Sequence, residues 1–402
     1  MANLPGDGGD DGVEDMVSTG NGMFSRGDGV SMTSEGPSFH PRLPAEWEPQ
    51  ARVHLAWPVN PADWPGKYHA ACWAVAEIAR LVTRHTPLCV TTTDISALQR
   101  ARRALARAGV DMDKVRFEVF PLDRGWMRDI SPFWVLNQAD EPRLEAVLFG
   151  FNGWARYPNY QRDARWAEHQ ARTMGVRARQ AAWKDRPVVL EGGAVDTNGE
   201  GVLLATEECL LDTARQPRNP GMSRADYEAC FQEYLGIRQV IWLGAGIGGD
   251  DTHGHVDDLC RFVGPHRVVL CRAARPDDPD YAVLEENRER LEGVTLPDGA
   301  RLDVVYLPMP EPVMFDGMRL PASYANFLVT NGAVLVPTFN DPADRVALGI
   351  LAECFPEREV RGVHAVDLVW GLGTVHCLTH EVPWGNGEPV IPARRKGGAF
   401  SR

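Results

Sequence analysis

Four short stretches of the sequence carry most of the residues able to do chemistry. Asp129 lies in Trp126-Met-Arg-Asp129-Ile-Ser-Pro132. Glu191 opens Glu191-Gly-Gly193. His255 and Asp257 lie in Gly249-Asp-Asp-Thr-His-Gly-His-Val-Asp257. Cys377 closes Gly371-Leu-Gly-Thr-Val-His-Cys377. A cysteine with a histidine is a nucleophile with its proton carrier. A peptide carbonyl would call for an oxyanion hole and one orienting acid, not several acids. A planar cation such as guanidinium suits several carboxylates, because its N–H groups pair with their oxygens.

Each residue has a plainer reading. Cys377 is one of eight cysteines, at 72, 89, 209, 230, 260, 271, 354 and 377, and none forms a Cys-x-x-Cys pair. The other seven read as buried reduced thiols of a cytoplasmic protein. Cys377 alone follows a Gly-x-Gly loop and a histidine, where glycines allow close backbone approach. His255 and Asp257 share a face if their segment is extended, since strand side chains alternate. Alone, they are a histidine near an acidic turn. Asp129 and Glu191, each alone, are turn or capping acids. The 246–248 Gly-x-Gly is followed by acids rather than Lys-Ser/Thr, which disfavours phosphate. A metal set drawn from Asp250, Asp251, His253, His255 and Asp257 has enough ligands but no standard spacing, so no metal is assigned.

These motifs must be positioned by a folded body. The chain has 402 residues, 44% hydrophobic and 24% charged, which is long enough for a sizeable core. Net charge is −13, with no basic stripe of the kind nucleic acid requires. No apolar run reaches the ~20 residues of a membrane span. The first residues lack the basic start and apolar core of a secretory signal. Residues 1–38, rich in Gly, Asp and Ser, read as a disordered acidic extension, and 387–402 as a loose tail.

Between them, helix-spaced and strand-like runs alternate. Tyr68–His85 reads as a helix, Leu88–Thr92 as a strand, Ala97–Ala108 as a helix and Val115–Phe120 as a strand. Strand and helix then recur as Val147–Phe151 with 160–174, Val202–Ala205 with 223–235, Val268–Cys271 with 279–293, and Val334–Pro337 with 342–353. This is α/β alternation, and a repeated unit is suggested without residue identity to show it. The chemical motifs fall at strand ends or in loops, not on helices.

Taken together, the motifs resemble the agmatine deiminase and bacterial-type peptidylarginine deiminase family, within the guanidine-modifying (pentein) superfamily. The resemblance runs in order through Pro44-Ala-Glu-Trp-Glu-Pro49, Leu55-Ala-Trp-Pro58, Trp126-Met-Arg-Asp129, Phe151-Asn-Gly-Trp154, Glu191-Gly-Gly193, Gly249-Asp-Asp-Thr252 with Gly254-His-Val-Asp257, Ala322-Ser-Tyr324 with Asn326-Phe327, Pro337-Thr-Phe339 with Asp341-Pro342, and Val375-His-Cys377. It implies a five-bladed α/β propeller of ββαβ-type modules around a central active site, in a single catalytic domain over 39–386. It implies cofactor-free hydrolysis of a small guanidino substrate to a ureido product and ammonia, most simply agmatine to N-carbamoylputrescine. Under the resemblance Cys377 is the nucleophile and His255 the general acid and base. Asp129 and Asp257 hold the guanidinium, and Glu191 assists nitrogen binding or proton handling. Trp126 walls the pocket, with Asp251, His253 and Arg156 as further substrate-binding residues. A homo-oligomer is left open.

Three departures touch the substrate. His253 stands where an Asp or Asn is usual, Leu372 interrupts a usual run of glycines, and Ala155-Arg156 replaces glycines after Phe151-Asn-Gly-Trp154. His253 could read the far end of the substrate and Arg156 could favour a carboxylate. Arginine, peptidylarginine or a specialised guanidino compound is therefore an alternative substrate, and an amidinotransferase an alternative reaction. A non-catalytic guanidine-binding protein is disfavoured by the Cys377–His255 pair.

Overall fold

A computed structural model describes residues 39–138 and 143–385. The expected extension over 1–38 and tail over 387–402 lie outside the described residues.

The fold is mixed α/β. Among the described residues, five sheets have three or more strands. One runs Thr379–Pro383, Gln50–Ala56, Leu88–Thr92, Val115–Val119; its first pair is antiparallel and the rest parallel. The second runs Pro41–Arg42, Phe133–Asn137, Arg143–Leu148, Ala178–Gln180. The other three are Val195–Thr197, Val202–Thr206, Gln239–Leu243; Cys260–Gly264, Arg267–Arg272, Asp303–Pro308; and Leu328–Val329, Ala333–Thr338, Glu359–His364. Each of those three has an antiparallel pair, then a helix, then a parallel strand beside the second. The repeat suspected from the sequence is thus real at the level of topology. Parallel neighbours need a helical crossover, which explains the α/β alternation.

Local chemistry sets the crossovers. In helix Tyr68–Val82, Ala71, Val75, Ile78, Ala79 and Val82 are buried on one stripe. Asp94 caps helix Ile95–Arg107 by accepting from the Ala97 N–H. Helix Arg224–Leu235 starts at a Ser223–Asp226 capping box and stops at Gly236, φ 73°. Helix Pro342–Cys354 starts at an Asp341–Asp344 capping box with proline in its first turn.

The helices predicted from periodicity are all found, with ends moved by a few residues. The largest shift is at 160–174, where the α-helix spans only Trp166–Met174. A 3-10 turn, Asp163–Arg165, leads directly into it. Strand centres such as Leu55, Val90, Leu204, Leu270 and Leu335 are buried; each such side chain contributes roughly 1.5–3 kcal/mol. Among the described residues no helix is long and apolar enough to cross a membrane.

Candidate active site

The chemical motifs occupy one recurring place: the short turn just before the leading strand of a sheet, the strand whose antiparallel neighbour goes on to a parallel one. Met127–Ile130 precedes Phe133–Asn137, and Gly192–Ala194 precedes Val195–Thr197. Val256–Asp258 precedes Cys260–Gly264, and Val375–Leu378 precedes Thr379–Pro383. The fifth sheet contributes Asn326, just ahead of Leu328–Val329. This corrects the expectation that no motif lies on a helix, since Asp129 and Cys377 sit in one-turn α-helices. It also corrects the extended His255–Asp257 segment, because Val256–Asp258 is a 3-10 turn with His255 as its N-cap. A single turn has no periodicity to read and is held by its surroundings.

Cys377 is buried, and its Sγ accepts from Asn326 Nδ2 at 3.0 Å and lies 3.7 Å from Asp257 Oδ2. Asp257 Oδ2 also lies 2.7 Å from His376 Nδ1. His255 faces three carboxylates. Its Nδ1 is 3.9 Å from Asp129 Oδ1 and 4.0 Å from Asp257 Oδ1, and its Nε2 is 3.9 Å from Glu191 Oε2. Asp129 is fixed by Trp154 Nε1 at 2.9 Å and the Gly193 N–H at 3.0 Å. Glu191 Oε1 pairs with Arg218 Nε at 3.0 Å, both fully buried. The structure therefore brings Cys377, His255, Asp129, Asp257 and Glu191 together.

Two glycines make the packing possible. A Cβ on Gly193 would stand 2.6 Å from His255 Nδ1 and 3.0 Å from Asp129 Oδ1. A Cβ on Gly373 would stand 2.7 Å from the Trp126 ring and 3.1 Å from Cys377 Cβ. Trp126 thus lies against the loop that carries Cys377.

The remaining predicted residues are further out. Asp251 accepts from the Tyr157 hydroxyl and lies 3.8 Å from Arg156 Nε. Arg156 is half exposed. The His253 ring is engaged by Glu208 at 3.4 Å and Asp212 at 3.2 Å, in an open pocket with Arg215 and Arg224. None of the other predicted site residues lines that pocket. Asp250 organises the loop, accepting from the Thr252, Gly254 and His255 N–H groups.

Charge follows from burial and neighbours. Burial works against the His255 cation, yet Asp129, Cys209 and Glu191 hold its pKa well above the ordinary range. Burial, then Asp257, Asp258 and Asp129, push the Cys377 thiol well up. Burial, reinforced by Asp257 and Glu191, lifts Asp129 to about 6. Burial opposes ionisation of Glu191, but Arg218 and His255 bring it down to about 2. Asp257 is held low despite burial, chiefly by the His376 hydrogen bond.

Among the described residues, Glu191–Cys209–His255 and Asp257–Asp258–Cys377 have ligand atoms close enough for a metal ion. A metal there would compete with a cationic substrate for the same atoms. The set proposed from 250–257 is dispersed instead, because Asp250, Asp251 and His253 have separate partners.

Three residues escaped the sequence reading of the site. Asn326 appeared there only as part of a motif, without a role. Arg218, in an unremarked Gln-Pro-Arg-Asn-Pro stretch, carries no local signal for pairing with Glu191. Cys209, grouped with the structural thiols, lies within 4.8 Å of His255 and Glu191 ligand atoms.

Comparison with known proteins matches residues 42–383 to the family model of Porphyromonas-type peptidyl-arginine deiminases. The chain is 35% identical over 372 residues to agmatine deiminase of Pseudomonas aeruginosa, covering 85% of this chain and 95% of that protein. Its structure is similar to agmatine deiminase of Enterococcus faecalis, with a TM-score of 0.78 and 30% identity over 86% of this chain and 96% of the other. It is also similar to a cysteine-to-serine variant of C. jejuni agmatine deiminase with substrate bound, with a TM-score of 0.76 and 25% identity over 87% and 99% of the two chains.

Proposed function

The chain belongs to the Porphyromonas-type peptidyl-arginine deiminase family, and from that premise we propose that it hydrolyses the guanidino group of agmatine to a ureido group, releasing ammonia. The observation that carries this reading is a set of buried polar atoms converging without hydrogen-bond partners. Asp257 Oδ1, Glu191 Oε2 and His255 Nε2 have no hydrogen-bond partner among the described residues. Unmet buried polar atoms each cost about 1–3 kcal/mol, and a planar cation with several N–H groups supplies what the carboxylates lack. The relatives named agmatine deiminase support agmatine as the first substrate to test.

In this reading Asp129 and Asp257 hold the guanidinium over Cys377, with Trp126 walling one side. Substrate charge offsets the carboxylates that keep the thiol protonated, so the thiol releases its proton to solvent as substrate binds and a thiolate remains. Its sulfur bonds to the guanidinium carbon. His255, charged in the free enzyme, gives its proton to the departing nitrogen, and ammonia leaves as the C–N bond breaks. A thiouronium remains on Cys377. His255 then takes a proton from water, whose oxygen bonds to the same carbon. The C–S bond breaks as the remaining hydroxyl proton passes to sulfur and the C=O forms, freeing N-carbamoylputrescine and the thiol. Glu191, fixed by Arg218, steadies His255 through both transfers; each transfer contributes roughly 10²–10⁴-fold.

The five sheets are read as blades of a five-bladed α/β propeller, a single pentein domain over 39–386 whose centre is the site. Each sheet's leading turn contributing one site segment supports that reading. A cytoplasmic enzyme acting on a small molecule accords with it. The test is a panel of agmatine, arginine and peptidylarginine scored for ureido product and ammonia, with Cys377→Ser as control. Product from agmatine, lost in Cys377→Ser, is expected; no ureido product from any of them overturns the reading.

A further inference from the structure

His376 precedes the nucleophile in sequence, yet its ring points behind it and is clasped from both sides. Nδ1 is 2.7 Å from Asp257 Oδ2 and Nε2 is 2.8 Å from Glu46 Oε2. All three groups are buried. At those separations each nitrogen–oxygen contact needs a proton between its atoms, because two lone pairs would repel.

The row Asp257–His376–Glu46 is anchored at both ends. Glu46 Oε2 accepts from Arg261 Nη2 at 2.5 Å and lies 3.7 Å from Arg128 Nη2. Arg261 is held in turn by Asp196 at 2.9 Å and by the Phe327 carbonyl at 3.0 Å. The His376 backbone N–H donates to Asn326 Oδ1 at 3.0 Å. The ring thus cannot swing without breaking contacts on every side. Asp257 Oδ2 is held at 2.7 Å by the ring and only distantly, at 3.4 Å, by Asn326 Nδ2, while Oδ1 has no partner among the described residues and faces His255.

We propose that His376, clamped by Glu46, is a positioning residue that fixes the Asp257 carboxylate so that Oδ1 alone is presented to the guanidinium. This rests on the deiminase reading above. A carboxylate is symmetric about its axis, and with the short ring donor gone only the long 3.4 Å Asn326 contact would oppose its rotation. Behind the ring lies a cavity of about 60 Å³ bordered by Glu46, Arg128, His376 and Glu381. Water there would give Asp257 a competing partner if the ring were removed.

Two substitutions separate positioning from bulk support. His376→Asn keeps an amide donor near the place of Nδ1, facing Asp257. His376→Gln puts its donor near the place of Nε2, facing Glu46. Both remove the ring. With agmatine, His376→Asn is expected to keep kcat/KM within roughly tenfold of wild type, and His376→Gln to lose roughly a hundredfold, the scale of a small misplacement at the reacting centre. Thermal melts of both proteins accompany the kinetics. If the Gln protein melts below the assay temperature, folded His376→Asn decides alone, and a loss beyond a hundredfold there overturns the proposal. Equal rates in the two folded variants also overturn it, while wild-type turnover leaves the deiminase reading standing. A wild type that leaves every guanidine intact overturns both.

Discussion

Asn326 Nδ2 lies 3.0 Å from Cys377 Sγ, although the two residues are 51 positions apart. The amide cannot be turned over. Its Oδ1 accepts from Thr374 Oγ1 at 2.6 Å and from the His376 N–H at 3.0 Å. The nitrogen must therefore face the sulfur, where an N–H donor favours thiolate over thiol.

Asn326→Asp keeps the shape and replaces that donor with an oxygen. A hydrogen bond to a charged group is worth about 1.5–3 kcal/mol, so kcat should fall at least roughly tenfold, with slower alkylation of Cys377 at neutral pH. Wild-type alkylation and turnover in Asn326→Asp would remove Asn326 from the chemistry.

The Cys377 thiol is raised by burial and then by Asp257, Asp258 and Asp129. A raised pKa leaves little thiolate near pH 7, so reactivity in the free enzyme should climb with pH without levelling near neutrality. A bound cation opposes those carboxylates, lowers the thiol pKa and increases thiolate at a given pH. Iodoacetamide inactivation, with and without a small guanidinium ion at non-denaturing concentration, checks both effects. A plateau already reached below about pH 7 in the free enzyme would contradict this electrostatic account.

Asp129→Asn should cost activity and gain stability. The guanidinium would lose a charge-assisted pair of about 1.5–3 kcal/mol. Meanwhile burial and like charge hold Asp129 up at about 6 in the folded protein. A carboxyl raised on folding costs stability increasingly as pH rises from its unfolded value through the folded one. The substitution removes that cost, offset by the loss of one of the two hydrogen bonds Asp129 accepts, for a gain on the order of 1 kcal/mol above about pH 6 that vanishes below about pH 4. Denaturant melts across that range test the sign. An Asn protein less stable at neutral pH would show that the hydrogen bonds of Asp129 dominate.

The α/β alternation was legible because helices such as Tyr68–Val82 carry a buried stripe along several turns. The reactive residues were legible by type. Their shared placement before five leading strands was not, because a turn of three or four residues has no pattern of its own. Glu191 could be picked out by its glycines, but its partner Arg218 is 27 residues away and marked by nothing local. His253 shows the converse: a suggestive position in sequence, with its ring committed to Glu208 and Asp212.

Cys209 is a second consequence of packing. Its thiol helps hold the His255 cation up. Cys209→Ala should lower the His255 pKa, and since the proposed mechanism needs a charged His255 to protonate the departing nitrogen, the alkaline limb of kcat/KM should move to lower pH. Activity at the optimum should change little. The pH profiles of both proteins decide it, and superimposable limbs would make Cys209 a packing residue.

The last prediction concerns the substrate tail. Agmatine ends in an amine, whereas arginine adds a carboxylate. Asp251 is the acid that an amine would seek, and the Tyr157 hydroxyl holds it. Arg156 is the cation that a carboxylate would seek, but its side chain is 49% exposed and stands 3.8 Å from Asp251. An exposed pair of this kind is worth about 0–1 kcal/mol, so Arg156 offers a carboxylate no more than about a fivefold advantage. Agmatine should therefore exceed arginine in kcat/KM, and Arg156→Ala should leave the ratio within that factor. Steady-state kinetics on both substrates with both proteins test this directly. If arginine is preferred, and Arg156→Ala raises the KM for arginine alone, then Arg156 reads a carboxylate and agmatine is not the substrate.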